Sequence, residues 1–273
     1  VNRSGLFSPY LYVGYAAVAV MGLLLGMLGG GGGILTVPIL VGFFGLTATH
    51  ATGSSLLVVG TTSLVGAIKG IFDGLVNVRI AVSVAIPSML GGMFSRAVLI
   101  KQIPDQVGAL HRDEVLLLAF ACLMVIVGIR FLSKPPTGKS TEIRPLTWHV
   151  PLFGLFTGLI SGLLGAGGGF LILPLLTLYV GLEMKPAVAT SLLVISIQSL
   201  GAFLPELAKP VPWMVLGPVV AISVSGMLLG LLLRDRAPRQ ALQLGFTVLV
   251  FSVAIWLFAR VGWGHFHPAP ALH

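Results

Sequence analysis

The stretch GMLGGGGGILTVP occupies residues 26–38. Five consecutive glycines, Gly29 to Gly33, stand between two apolar runs. A glycine inside a helix costs about 1 kcal/mol relative to alanine, so a helix that enters this stretch is expected to end in it. GLLGAGGGFLILP repeats the pattern at residues 162–174. Each stretch runs on into a short apolar piece, 34–46 and 170–181. At about a dozen residues these pieces are too short to cross a bilayer and read as re-entrant half-helices.

The repeat extends outward from the glycines. A shift of 136 residues lays Gly26 on Gly162, Gly31–Gly33 on Gly167–Gly169, Pro38 on Pro174 and Gly45-Leu46 on Gly181-Leu182. It also lays Ser55-Leu56-Leu57-Val58 on Ser191-Leu192-Leu193-Val194. Over 26–64 against 162–200, 18 of 39 positions are identical without a gap, where so biased a composition gives roughly 3 or 4 by chance.

Composition sets the solvent. Of 273 residues, 56% are hydrophobic and 9% charged, with a mean hydropathy of +1.04. A soluble domain carries roughly 25% charged residues, so this chain is read as an integral membrane protein. Apolar runs at 10–29, 47–72, 78–101, 113–133, 148–166, 187–208, 212–233 and 240–260 read as spans. The run from Tyr10 lacks a basic leader and a small-residue cleavage site, so it reads as the first span. The expected fold is an all-α membrane protein of about eight transmembrane helices in two homologous four-helix repeats. Their bounds are 1–133 and 148–273, joined by the polar, proline-bearing linker 134–147. Each repeat carries one glycine-broken half-helix. An even number of crossings per half, which the shortness of the two pieces favours, makes the halves parallel.

The formal charge is +8. The basic residues flank apolar runs and do not interleave with aromatics, so nucleic acid is not an expected partner. Lys69 with Asp73, and Glu206 with Lys209, read as ion pairs at span ends, and Arg96 and Lys101 read as snorkelling anchors. The one cysteine, Cys122, reads as a small buried packing residue. No metal-ligand cluster, phosphate loop or catalytic constellation appears, so neither a cofactor nor an enzyme activity is expected.

A helix N-terminus leaves its first N–H groups unpaired and carries a partial positive charge. Glycine leaves those groups uncovered. Gly31, Gly32 and Gly33, with Gly167, Gly168 and Gly169, thus read as two positive ends aimed at one small anion. Gly29 and Gly30 count for less, since the second copy manages with Gly165-Ala166. The next span adds hydroxyls and an amide that donate without charge: Ser54, Ser55 and Thr62, matched by Thr190, Ser191 and Gln198. Interhelical hydrogen bonding is the competing use of these groups. His50 is the candidate for carrying a coupling proton, and its repeat mate is Pro186.

These residues carry a family resemblance. Small-Leu-Leu-Gly-x-Gly-Gly-Gly-Phe/Ile-Leu-x-x-Pro, then Ala-x-x-Ser/Thr-Ser-Leu-Leu-Val, given twice, resembles the TauE/SafE-type sulfite exporters. Gly66-Ala67-Ile68-Lys69-Gly70, Gly91-Gly92 with Arg96, Ile103-Pro104-Asp105, Val211-Pro212-Trp213 and Gly226…Gly230…Arg234 fit the same pattern. The resemblance implies a multi-pass transporter of the bacterial inner membrane that exports sulfite or an organosulfonate without a cofactor. The expected partners are a small anionic substrate and the lipid bilayer, with oligomerisation left open. A passive anion channel, or a membrane partner or assembly factor that transports nothing, are the rival readings.

Overall fold

The computed structural model describes residues 9–107, 110–133, 149–208, 211–234 and 239–266. The linker expected at 134–147, and Lys209, lie outside them. The described chain is helical apart from one short hairpin and its loops, as a bilayer that cannot hydrogen-bond a bare backbone requires.

Two compact units emerge, and each draws on both halves of the sequence. The first takes residues 1–102 and 136–236, the second 103–135 and 237–273.

The first unit opens with α1, Pro9–Leu28. Gly29 follows at φ +64° and closes the last turn through its N–H to the Leu25 carbonyl at 2.9 Å. The chain then reverses into α2, a 3₁₀ turn Gly31–Leu35 running into an α-helix Thr36–Gly42. Helix α2 lies antiparallel to α1. A Cβ at Gly32 would stand 2.5 Å from the Leu25 nitrogen, and at its far end Phe44 stacks edge-on with Tyr15 at 5.3 Å. Helix α3, Ala48–Phe72, is N-capped by Thr47. Helix α4, Val78–Phe94, is capped by Asn77 and continues through a π turn, Ser95–Leu99, to Gln102.

In the second unit a hairpin pairs β1, Gln106–Val107, with β2, Leu110–His111, and leads into α5, Arg112–Ser133. Arg112 fastens the approach, bonding the Ile103 carbonyl at 2.9 Å and pairing with Asp105 at 2.7 Å. The rest of this unit is α10, Arg239–Phe266, which packs on α5 where Gly128 meets the Phe251 ring. Cys122 is exposed on α5 and not buried as expected.

The first unit resumes with α6, His149–Leu164, which ends as α1 does: Gly165, at φ +71°, bonds the Ser161 carbonyl at 2.8 Å. Helix α7 follows, an α-helical turn Gly169–Pro174 continued by a π turn Leu175–Tyr179. Its end meets the start of α6 through Tyr179 and Phe153, 6.4 Å apart. Helix α8, Met184–Phe203, closes with a 3₁₀ turn Leu204–Ala208, and α9 is Trp213–Leu233.

Five of these helices are long and apolar enough to cross a membrane; α2, α6 and the stretch Thr247–Gly262 of α10 are shorter apolar helices. The short pieces begin about where expected, at Gly31 and Gly169.

The direction of the halves differs from the even-count expectation. Helices α3 and α8 occupy equivalent places in the sequence repeat and run antiparallel, Gly60 facing Leu200 and Gly70 facing Ala189. Parallel halves would have them run the same way. The even count took α1 as standing alone, whereas α2 folds back along it as a hairpin.

Glycine sets the closest packing. Along α4 and α6, Gly154 faces Val84 and Gly162 faces Gly92, where an added Cβ would stand 2.7 and 2.5 Å from backbone oxygens. Along α1 and α9, Gly22, Gly26, Gly226 and Gly230 do the same. These are small-residue seams of the kind that lets helices associate in lipid. Gly162→Val is expected to part α4 from α6 and cost about 1–3 kcal/mol or more through overpacking. A lowered thermal midpoint in detergent is the readout.

Candidate functional site

The two glycine breaks meet in the interior of the first unit. A Cβ at Gly30 would stand 2.7 Å from the Gly169 Cα, and one at Gly169 would stand 2.5 Å from the Gly30 Cα. Only glycine allows so close a crossing. The equivalent contact sets Gly33 beside Ala166, with 3.4 Å from an added Cβ to the Ala166 oxygen. Val59 of α3 and Ile195 of α8, again equivalent positions, pack on the two breaks. Val59 lies about 16 Å along α3, at 1.5 Å per residue, so the crossing is far from either end of that helix.

The serines are placed reciprocally. Ser55 Oγ donates to the Gly165 carbonyl at 2.6 Å, and Ser191 Oγ donates to the Gly29 carbonyl at 2.7 Å. Each therefore covers the end of the long helix belonging to the other half. Each also reaches back to its own helix, to Thr52 and Val188 at 2.8 Å. A hydroxyl has one proton, so these two are committed to carbonyls rather than offered to an anion. Gln198 behaves alike: its amide nitrogen donates to the Gly167 carbonyl at 2.9 Å and its oxygen accepts from Ser88.

The remaining candidates are dispersed. Thr62 shares a 2.7 Å hydrogen bond with Ser223 of α9. Thr190 accepts from the Asn77 backbone N–H at 3.0 Å, tying α8 to the start of α4. Ser54 is buried on α3, and His50 is exposed on its first turn. Gly32 turns its open side to the α1 backbone, and Gly167 and Gly168 take φ of +68° and +66°. Gly29 and Gly30, given less weight from the sequence, form the cap and the crossing itself.

Sequence reasoning missed two sets of groups. Among the described residues the buried hydroxyls of Thr36, Ser63, Ser95, Ser161 and Ser199 have no hydrogen-bond partner. Ser63 and Ser199 are equivalent in the repeat, a symmetry visible in the sequence, and Ser161 lies against Gly168. The second miss is ionic. Arg96, expected to snorkel, is 1% exposed, and its Nε lies 3.1 Å from Oε1 of Glu206, which is 6% exposed. Glu206 thus pairs across helices, while the expected partner Lys209 lies outside the described residues. Nothing in the sequence links positions 96 and 206; only the packing of α4 on α8 brings them together.

Known proteins resemble this chain in sequence. The pattern of the family described as sulfite exporter TauE/SafE matches residues 15–257. A probable membrane transporter protein of Xylella fastidiosa is 30% identical over 258 residues, 92% of this chain and 95% of that protein. One of Methanocaldococcus jannaschii is 27% identical over 209 residues, 73% of this chain and 72% of that protein. One of Bacillus subtilis is 26% identical over 176 residues, 64% and 70% of the two. No solved structure matches. The doubled glycine motif, the apolar helices and a match over most of the length place this multi-pass membrane protein in one group: the chain belongs to the sulfite exporter TauE/SafE family.

Proposed function

We propose that the chain is a secondary transporter that exports a small sulfur-containing anion, sulfite or an organosulfonate, across the inner (plasma) membrane. The observation that carries the reading is the reciprocal capping at the crossed breaks. Two long helices end there and two short ones begin. The ending helices bring carbonyls, which would repel an anion. Ser191, Ser55 and Gln198 donate to the carbonyls of Gly29, Gly165 and Gly167. What is left to face a ligand is the donor side: the first N–H groups of α2 and α7, with their partial positive charge.

The two halves are inverted repeats in this reading, each entering the protein as a hairpin (α1–α2 and α6–α7) that meets its mate near the bilayer midplane. The antiparallel α3 and α8 support it. The unpartnered hydroxyls of Ser161, Thr36, Ser63 and Ser199 are neutral donors that can follow an anion without holding it too tightly. The names of the relatives support transport, and the family's description supports a sulfur oxyanion as cargo.

Uptake of labelled sulfite by proteoliposomes tests this. Gly168→Leu puts a side chain where φ is +66° and Gln198 Nε2 is adjacent, and is expected to reduce uptake by more than about tenfold, a loss of at least 1.4 kcal/mol in the transport step. Undiminished uptake with Gly32 and Gly168 both changed to leucine sinks the site. A proton gradient that drives flux in the wild type but not in His50→Ala marks a proton-coupled carrier; flux indifferent to the gradient marks a passive channel.

A further inference from the structure

Arg96 and Glu206 form an ion pair in the protein interior. Gly158 meets Ser88 where its repeat mate Gly22 meets Ser223, which sets Leu231 in the place of Arg96, and the mates of Glu206 and Thr52 are Gly70 and Val188. Of these two equivalent sets of three positions, one carries the charged and hydroxyl groups and the other carries none of them. A buried pair is weak evidence for stability, since well-packed apolar residues commonly replace it at no cost. Ionisable groups within membrane segments mark substrate or ion pathways.

Three features point to a ligand. Arg96 stands in the π turn of α4, and such turns frequently occur at functional sites. Its guanidinium is incompletely satisfied: Nη1 donates to Thr52 Oγ1 at 3.1 Å and Nη2 to the Thr49 carbonyl at 3.4 Å, while Nε, close to Glu206, has no aligned acceptor. Gly53 supplies the space, for a Cβ there would stand 2.5 Å from Nη2 and 2.8 Å from Oε2 of Glu206. The pair is also wired to the second break. The Thr52 carbonyl accepts from Ser55 Oγ, and that same hydroxyl holds Gly165.

We infer that Arg96 is the charged anchor of an oxyanion site beside Gly53, and that the Glu206 carboxylate is an internal anion occupying it until a sulfite or sulfonate group displaces it. Planar guanidinium donors match the oxygens of such a group. Glu206 keeps the arginine paired when no cargo is present and competes cargo off again, so a full positive charge can serve without trapping the anion. The loosened pair is transmitted through Thr52 and Ser55 to the carbonyl cap on Gly165. This deepens the transport reading and rests on it.

The test is calorimetric titration of the detergent-purified protein with sodium sulfite and sulfoacetate, acetate being the control, with uptake measured in parallel. Removing the competitor in Glu206→Gln is expected to tighten sulfite binding by about tenfold or more, and removing the anchor in Arg96→Gln to weaken it by more than about thirtyfold. The double variant Arg96→Gln/Glu206→Gln removes both members of the pair, its thermal midpoint in detergent reports whether it is folded, and it is expected to bind no sulfite. A double variant that binds sulfite like a wild type active in uptake overturns the anchor and leaves the transport reading standing. Unchanged affinity in a folded Glu206→Gln overturns the displacement. A wild type that neither binds nor moves any of the probes overturns both readings together.

Discussion

Gly169→Ala is expected to abolish sulfite uptake and to lower stability by about 1–3 kcal/mol or more, the range for forcing a methyl into filled space. Gly33→Ala, at the equivalent position of the first half, is expected to cost far less. The contrast follows from the neighbours. The new methyl at Gly169 meets the Gly30 Cα at 2.5 Å, the Gly30 oxygen at 2.7 Å and the Ile195 Cδ1 at 2.6 Å. Two of these are backbone atoms of the opposite break and cannot step aside without parting the hairpins. At Gly33 the nearest atom is the Val59 Cγ1 at 3.1 Å, and the Ala166 oxygen is 3.4 Å away. A few tenths of an ångström from a valine rotamer accommodates that. The thermal midpoint of each variant in detergent, followed by uptake in proteoliposomes, measures both effects. Equal tolerance at the two positions would show that the breaks do not cross at Gly30 and Gly169.

This contrast also shows what the sequence could tell. The 136-residue match makes Gly33 and Gly169 look interchangeable, and the doubled break, the short helices and the membrane class all follow from it. Their unequal packing comes from one difference, Gly30 against Ala166, whose consequence depends on which half crosses over which. A linear repeat carries no information on that. The serines are a related case. Their repeat symmetry singles out Ser55 and Ser191, yet a hydroxyl in a helix reads the same whether it faces a ligand or a carbonyl. Only the reciprocal docking of α3 and α8 on the opposite breaks decides between the two. The Arg96–Glu206 pair was least legible of all, because span-end charges on different helices have no spacing to read. Its one trace in the sequence is an absence, the uncharged counterparts Leu231 and Gly70.

Ser55→Ala and Ser191→Ala are expected to destabilise the protein by similar amounts, about 1–3 kcal/mol each, the cost of leaving a buried carbonyl without its donor. The equality is the informative part. Each hydroxyl is fully buried, each serves one carbonyl of the opposite break at 2.6 or 2.7 Å, and each serves one of its own helix at 2.8 Å. The helical carbonyls of Thr52 and Val188 lose only a second bond. Those of Gly165 and Gly29 lose their cap at a helix end, where the negative pole of the dipole lies. If the serines were ligand donors, either change would weaken sulfite binding while leaving the ligand-free thermal midpoint untouched. As caps they lower that midpoint before any ligand is added. Uncovering one carbonyl also turns a negative group toward the place where the proposed anion sits, so sulfite affinity falls as well. Thermal midpoints without ligand, then with saturating sulfite, separate the two roles. The double variant is expected to lose nearly the sum of the single costs, because the two hydroxyls share neither carbonyl nor helix.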